Sequence, residues 1–145
     1  MLVYLGMADY RLKHPPEARP DPALVEAIQE VEDEGCVSCA VAHDLAEELG
    51  VTPAAVGRTL DLMEYRIVKC QMGIFGYATE KKILRPAANV DEPLRERLET
   101  ATREGRVSCA ICWKIAESLR LQKIEVAAAC ETLGLKIKPC QLGAF

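Results

Sequence analysis

The sequence predicts a mainly α fold with small β-hairpins, an α+β protein built from two similar units in tandem. Three observations carry that expectation. Sliding the 145-residue chain by 70 positions lays "EGCVSCA" (Glu34–Ala40) on "EGRVSCA" (Glu104–Ala110), and lays Cys70, Gln71, Gly73 and Phe75 on Cys140, Gln141, Gly143 and Phe145. About a third of the aligned positions match, and self-similarity at a fixed period marks one structural unit used twice. Within each unit, apolar residues recur at helical spacing between capping and turn residues. The chain is 50% hydrophobic but only 5% aromatic, so its core must be aliphatic.

The elements follow in order. "DPALVEAIQEVEDEG" begins with Asp21 as N-cap and Pro22 at the first helical position. Leu24, Val25, Ile28 and Val31 form its apolar stripe, and Gly35 is expected to end it. A short extended "CVS" comes next. The helix "CAVAHDLAEELG" then carries Val41, Ala42, Leu45, Ala46 and Leu49 on one side and stops at Gly50. "VTPAAVGRTLDLMEY" restarts at once, with Thr52 as cap and Pro53 in the first turn. "RIVKCQMGIFGYATEKKIL" reads as a hairpin turning at Gly73 or Gly76. The second unit repeats this order, with Arg120 replacing the turn glycine and Gln122 the capping Thr. Domain boundaries are expected at 1–20 for a leading strand and Pro-rich linker, 21–85 for the first unit and 86–145 for the second. The leading "LVYLGMADYRLKHPPEARPD" itself aligns with Met72–Asp91, through Gly6 on Gly76, Ala8 on Ala78 and Pro16 on Pro86.

The stretch Ala42–Leu60 looks like a helix-turn-helix. Ala46 is small where the second helix must approach, Gly50 makes the turn, Val51 fills beneath it, and Val56 and Leu60 anchor the second helix. With a hairpin behind it, each unit resembles a winged-helix domain. That resemblance implies a DNA-binding transcriptional regulator acting as a homodimer, with the second helix of each pair in the major groove and basic residues on phosphates. The matching positions here are Thr52, Arg58, Arg66 and Lys69 in the first unit, and Lys123, Lys136 and Lys138 in the second. Lys81 and Lys82 would add to a wing. The acidic helix residues Asp61, Glu64, Glu125 and Glu131 oppose a phosphate-lined groove. Residues 91–145 hold nine bases to eight acids, against six to 12 in 21–90, so any DNA face is expected mainly on the second unit.

A rival expectation is a protein-interaction adaptor that has lost its DNA face. Ala54, Ala55 and Gly57, and Ala127, Ala128 and Ala129, would let another backbone come close. Trp113 lies off the apolar stripe of its helix, as an interface anchor or packed on the neighbouring unit.

The seven cysteines include "CVSC" (Cys36, Cys39) and "CAIC" (Cys109, Cys112), spacings used by metal and redox sites. The two motifs are out of phase with the repeat, and Cys112 and Cys130 align with apolar core positions. What repeats is one pair per unit, Cys39 with Cys70 and Cys109 with Cys140. Brought together, the pairs would make a four-thiolate site for zinc or an iron–sulfur cluster; buried free thiols are the plainer expectation, with no cofactor. His14 and His43 have no counterpart in the other unit. With no nucleophile–base set and no phosphate loop, an enzyme is not expected. A net charge of −4 argues against a nonspecific nucleic-acid coat. The absence of a 20-residue apolar run or a signal-peptide pattern leads to the expectation of a cytoplasmic protein with no membrane partner.

Overall fold

The computed structural model describes residues 10–77 and 82–145, so the expected leading strand and Lys81 lie outside the described residues. The described chain runs α1 (Pro22–Val31), β1 (Cys36–Ser38), α2 (Cys39–Leu49), α3 (Pro53–Leu62), β2 (Arg66–Val68), α4 (Glu92–Ala101), β3 (Arg106–Val107), α5 (Cys109–Leu119), α6 (Lys123–Leu133) and β4 (Lys136–Ile137). The second five elements restate the first five at the 70-residue shift. The backbone agrees in detail: Glu34 and Glu104 have φ of 51° and 52°, and Gly35 and Gly105 have 78° and 77°.

The local chemistry of each element accounts for its start and stop. Asp21 Oδ1 accepts from the Ala23 and Leu24 amides, at 2.8 and 3.4 Å. Ser38 Oγ and Ser108 Oγ cap α2 and α5 by accepting from Val41 N and Ile111 N, each at 3.1 Å. Thr52 Oγ1 caps α3 through Ala55 N at 3.1 Å. Glu125 Oε2 accepts the Gln122 amide at 2.7 Å and starts α6. Between the paired helices the chain turns through a left-handed residue, Gly50 at φ 66° and Arg120 at φ 58°. A side chain in that conformation is strained, whereas glycine is not.

Helix α1 ends at Val31, four residues before the expected stop at Gly35. Glu32 Oε1 accepts the Gly35 amide at 2.8 Å, and Asp33 and Cys36 exchange backbone hydrogen bonds at 2.9 Å, which folds this stretch into a turn. Val31 and Leu49, the last residues of the expected apolar stripes, are 41% and 42% exposed because each closes its helix beyond the packed face.

The strands also pair differently from the hairpin expectation. β1 and β2 are parallel, with Val37 opposite Ile67, and β3 and β4 are parallel, with Val107 opposite Ile137. No hairpin forms among the described residues. After β2 the chain turns at Lys69 (φ 54°) and closes locally, Cys70 N donating to Phe75 O at 3.1 Å. Those local bonds remove the partners that a second hairpin arm would need.

The chain forms two compact units, residues 1–69 with Leu142–Ala144, and residues 70–141 with Phe145. The division falls at 69/70 rather than 85/86, so the segment after β2 opens the second unit instead of closing the first. In the first unit Leu24, Ile28, Val37, Ala42, Leu45, Ala46, Val56 and Leu60 are buried, and Leu142 is only 2% exposed. Gly57 of α3 makes room for that tail: a Cβ there would overlap the Leu142 carbonyl. Lys13 Nζ donates to Gly143 O at 2.9 Å. In the second unit the buried cluster includes Met72, Leu84, Leu94, Leu98, Val107, Ile115, Val126 and Ile137. There Gly73 O accepts from Ile83 N and Leu84 N at 3.0 Å, and Ala87 N donates to Ala128 O of α6 at 3.1 Å.

Candidate nucleic-acid interface

The second unit carries a basic face on its two-stranded ladder. Arg106 and Lys136 are register partners, both exposed, and each is followed by a buried residue, Val107 and Ile137. Strand alternation therefore puts Arg106, Lys136 and Lys138 on one outward face. Backbone bonds fix the strands beneath, Lys136 N to Gly105 O and Lys138 N to Val107 O, both 2.9 Å. Arg103 joins through an antiparallel bridge to Arg106, its guanidinium held by Thr100 O and Thr102 O at 2.8 and 2.9 Å. None of these four cations makes an ion pair among the described residues. Beside them lies an open cleft of about 570 Å³, whose lining includes Arg103, Arg106 and Lys138 together with the acidic Glu104 and the apolar Ile111 and Phe145.

Arg103 and Arg106 were not among the residues expected from sequence, although the repeat contains the signal. Asp33, Cys36, Arg66 and Val68 of the first unit correspond to Arg103, Arg106, Lys136 and Lys138 of the second. One structural position changes from mixed to wholly basic between the copies. The units differ in charge accordingly, 13 acids and six bases in the first against nine and 12 in the second, net −7 and +3.

The other expected contact residues are spread out. Thr52 is exposed as the cap of α3, Arg58 is exposed on its second turn, Arg66 is exposed at the start of β2, and Lys69 is exposed just after it. Lys123 is half-buried, with its ammonium 4.5 Å from the centre of the Trp113 ring, itself half-buried. The cation and the indole therefore meet each other within one unit.

Each unit also packs a segment of its own over the third helix. Asp61 of α3 is buried, held by Lys13 Nζ at 3.1 Å and His14 Nε2 at 2.9 Å from the segment preceding α1. On α6, Glu131 pairs with Lys82 at 2.9 Å, and Thr132 Oγ1 donates to Ala87 O at 2.7 Å.

Of the cysteines expected to act together, Cys39 and Cys109 are buried at the starts of α2 and α5, Cys70 is buried, and Cys140 is half-buried. Burial pushes the Cys70 thiol above the ordinary range, against an opposing pull from the backbone amides of Ile74, Met72 and Phe75. Burial likewise raises Cys109, against Gln141. Cys112 donates a hydrogen bond to Cys130 in the core and keeps its proton well above the usual thiol range.

Compared with known protein families, curated proteins and solved structures, the chain matches none. No helix of the described residues is long and apolar enough to cross a membrane.

Proposed function

We propose that this chain is a DNA-binding regulator of transcription whose phosphate-contacting surface is the basic ladder of the second unit. The observation that carries this reading is the outward row of Arg106, Lys136 and Lys138, flanked by Arg103, on a unit of net charge +3. A row of unpaired cations on a rigid ladder suits the regularly spaced charges of a duplex backbone. The repeated order of helix, strand, helix, turn, helix, strand supports tandem winged-helix-like units, with the ladder strands where a wing would begin. Thr52 at the cap of α3 and Arg58 on the helix are the residues available for groove contact. Capture of fragmented genomic DNA on the immobilised protein at low salt tests the proposal. Enriched fragments released by salt are expected; no retained DNA overturns it.

One observation favours a second reading. The third helix of each unit is overlaid by a segment of that same unit, through Lys13, His14 and Leu142 on α3 and Lys82 and Ala87 on α6. A helix so covered suits an interaction adaptor better than deep major-groove insertion. If the adaptor reading holds, the DNA capture returns nothing.

A further inference from the structure

A further open cleft of the second unit lies along β4. Its volume of about 640 Å³ falls within the range of about 300–1,000 Å³ that small-molecule sites occupy. The apolar part of its lining includes Ile74, Leu84, Leu135, Ile137 and Phe145. Leu84 and Ile137 belong to the buried cluster of this unit, and the other three pack against that cluster. The charged part is Lys82, Glu131, Lys136 and Lys138. Lys82 and Glu131 satisfy each other at 2.9 Å. Lys136 and Lys138 are exposed and make no ion pair among the described residues, so the lining keeps two uncompensated positive charges.

The repeat supplies an internal comparison. Leu60, Glu64 and Tyr65 of the first unit stand at the positions of Cys130, Gly134 and Leu135, and each of these lining positions is smaller in the second copy. His14 stands at the position of Leu84 and is tied to the Asp61 carboxylate, whereas Leu84 offers only hydrocarbon. Val68 stands at the position of Lys138. Space, an apolar wall and an added cation therefore arise in the same copy around the same cleft. The proposed DNA surface accounts for Lys138 but not for the volume lost at three positions beside it.

The lining also selects a class of ligand. An aliphatic chain placed against the apolar wall gains up to about fourfold in affinity for each methylene it buries. A head of single negative charge suits the two unpaired lysines. Among the described residues no arginine lines the cleft, and the planar fork that grips phosphate bidentately belongs to arginine. Glu131 further opposes a doubly charged head.

We infer that this cleft binds an aliphatic monocarboxylate, a fatty acid, with its chain along the apolar wall and its carboxylate at Lys136 and Lys138. These two lysines also belong to the ladder proposed to contact DNA, so binding is measured on the full chain without DNA and stands or falls separately. The test is isothermal titration calorimetry with octanoate and decanoate, and with 1-octanol as the uncharged control. One decanoate per chain is expected, bound more tightly than octanoate, and octanoate more tightly than octanol. Lys138→Val introduces the first-unit residue and should weaken decanoate about fivefold, the worth of one exposed ion pair. Leu135→Tyr, likewise taken from the first unit, should narrow the cleft and weaken decanoate further. Both variants should keep the wild-type circular dichroism. In the unaltered chain, the amide resonances of Leu135, Ile137 and Phe145 should shift as decanoate is added. Wild-type protein that binds no decanoate overturns the inference. So does equal affinity for octanol and octanoate, or undiminished affinity for decanoate in either variant.

Discussion

Replacing Gly57 with alanine decides whether the tail is part of the first unit's fold. In an ordinary helix interior Gly→Ala stabilises by about 0.5–1 kcal/mol, because glycine loses more backbone freedom on folding. Here the added methyl would occupy the position of the Leu142 carbonyl, so the tail must move off α3. Leu142 is 2% exposed, and returning a buried leucine to water costs about 1.5–3 kcal/mol. The Lys13 hydrogen bond to Gly143 O goes with it. The loss exceeds the gain, and Gly57→Ala should destabilise by about 1–2 kcal/mol. Urea unfolding monitored by circular dichroism measures this in the full chain and in a chain ending at Gln141. Without the tail the sign should reverse, with Gly57→Ala now stabilising by about 0.5–1 kcal/mol. Stabilisation in both backgrounds would refute the close approach of tail and helix.

Three further outcomes follow from the same reasoning. Arg120→Gly relieves a side chain held at φ 58° and should raise stability by about 1 kcal/mol, read as a higher melting temperature; an unchanged or lower value contradicts the strained turn. Asp61→Ala leaves Lys13 and His14 without their shared carboxylate and should cost about 2 kcal/mol in urea unfolding, while no loss would remove the pair as a tether. The raised thiols Cys70 and Cys109 make stability fall at alkaline pH. The unfolded chain gives up these protons first, so their contribution is full below the ordinary thiol value near 9.0 and disappears as pH rises through the higher folded values. Urea midpoints should be level up to about pH 8 and decline above it, less steeply in Cys109→Ala; equal slopes would contradict the assignment.

What the sequence disclosed depended on how local the cause was. The repeat and the caps at Asp21 and Thr52 are local chemistry and were legible, as was the stop at Gly50. The end of α1 was misplaced because the Glu32 carboxylate folds the chain before Gly35 is reached. The hairpin was misread because "KCQMGIFGYA" has the composition of strands, while its bonds close within a turn and its buried Met72 belongs to the second unit's core. That placement also explains the repeated phrase. Met72 and Gly73 serve the second unit, and Leu142 and Gly143 fill a place in the first, against Gly57 and Lys13. Arg103 and Arg106 were not expected because their counterparts in the first copy, Asp33 and Cys36, are not basic, and the expected contacts followed the third helix of each unit and the strand after it.

The most direct test of the proposed function is a salt series of duplex DNA binding, followed by fluorescence anisotropy, for the wild-type chain and an R106E/K136E/K138E variant. Three phosphate contacts predict a slope of log affinity against log salt near −3 for the wild type, at about −0.9 per contact. The variant should bind weakly, with a slope close to zero. Wild-type protein that does not bind at low salt, or a variant with unchanged affinity and slope, would contradict the basic ladder as a DNA-binding surface.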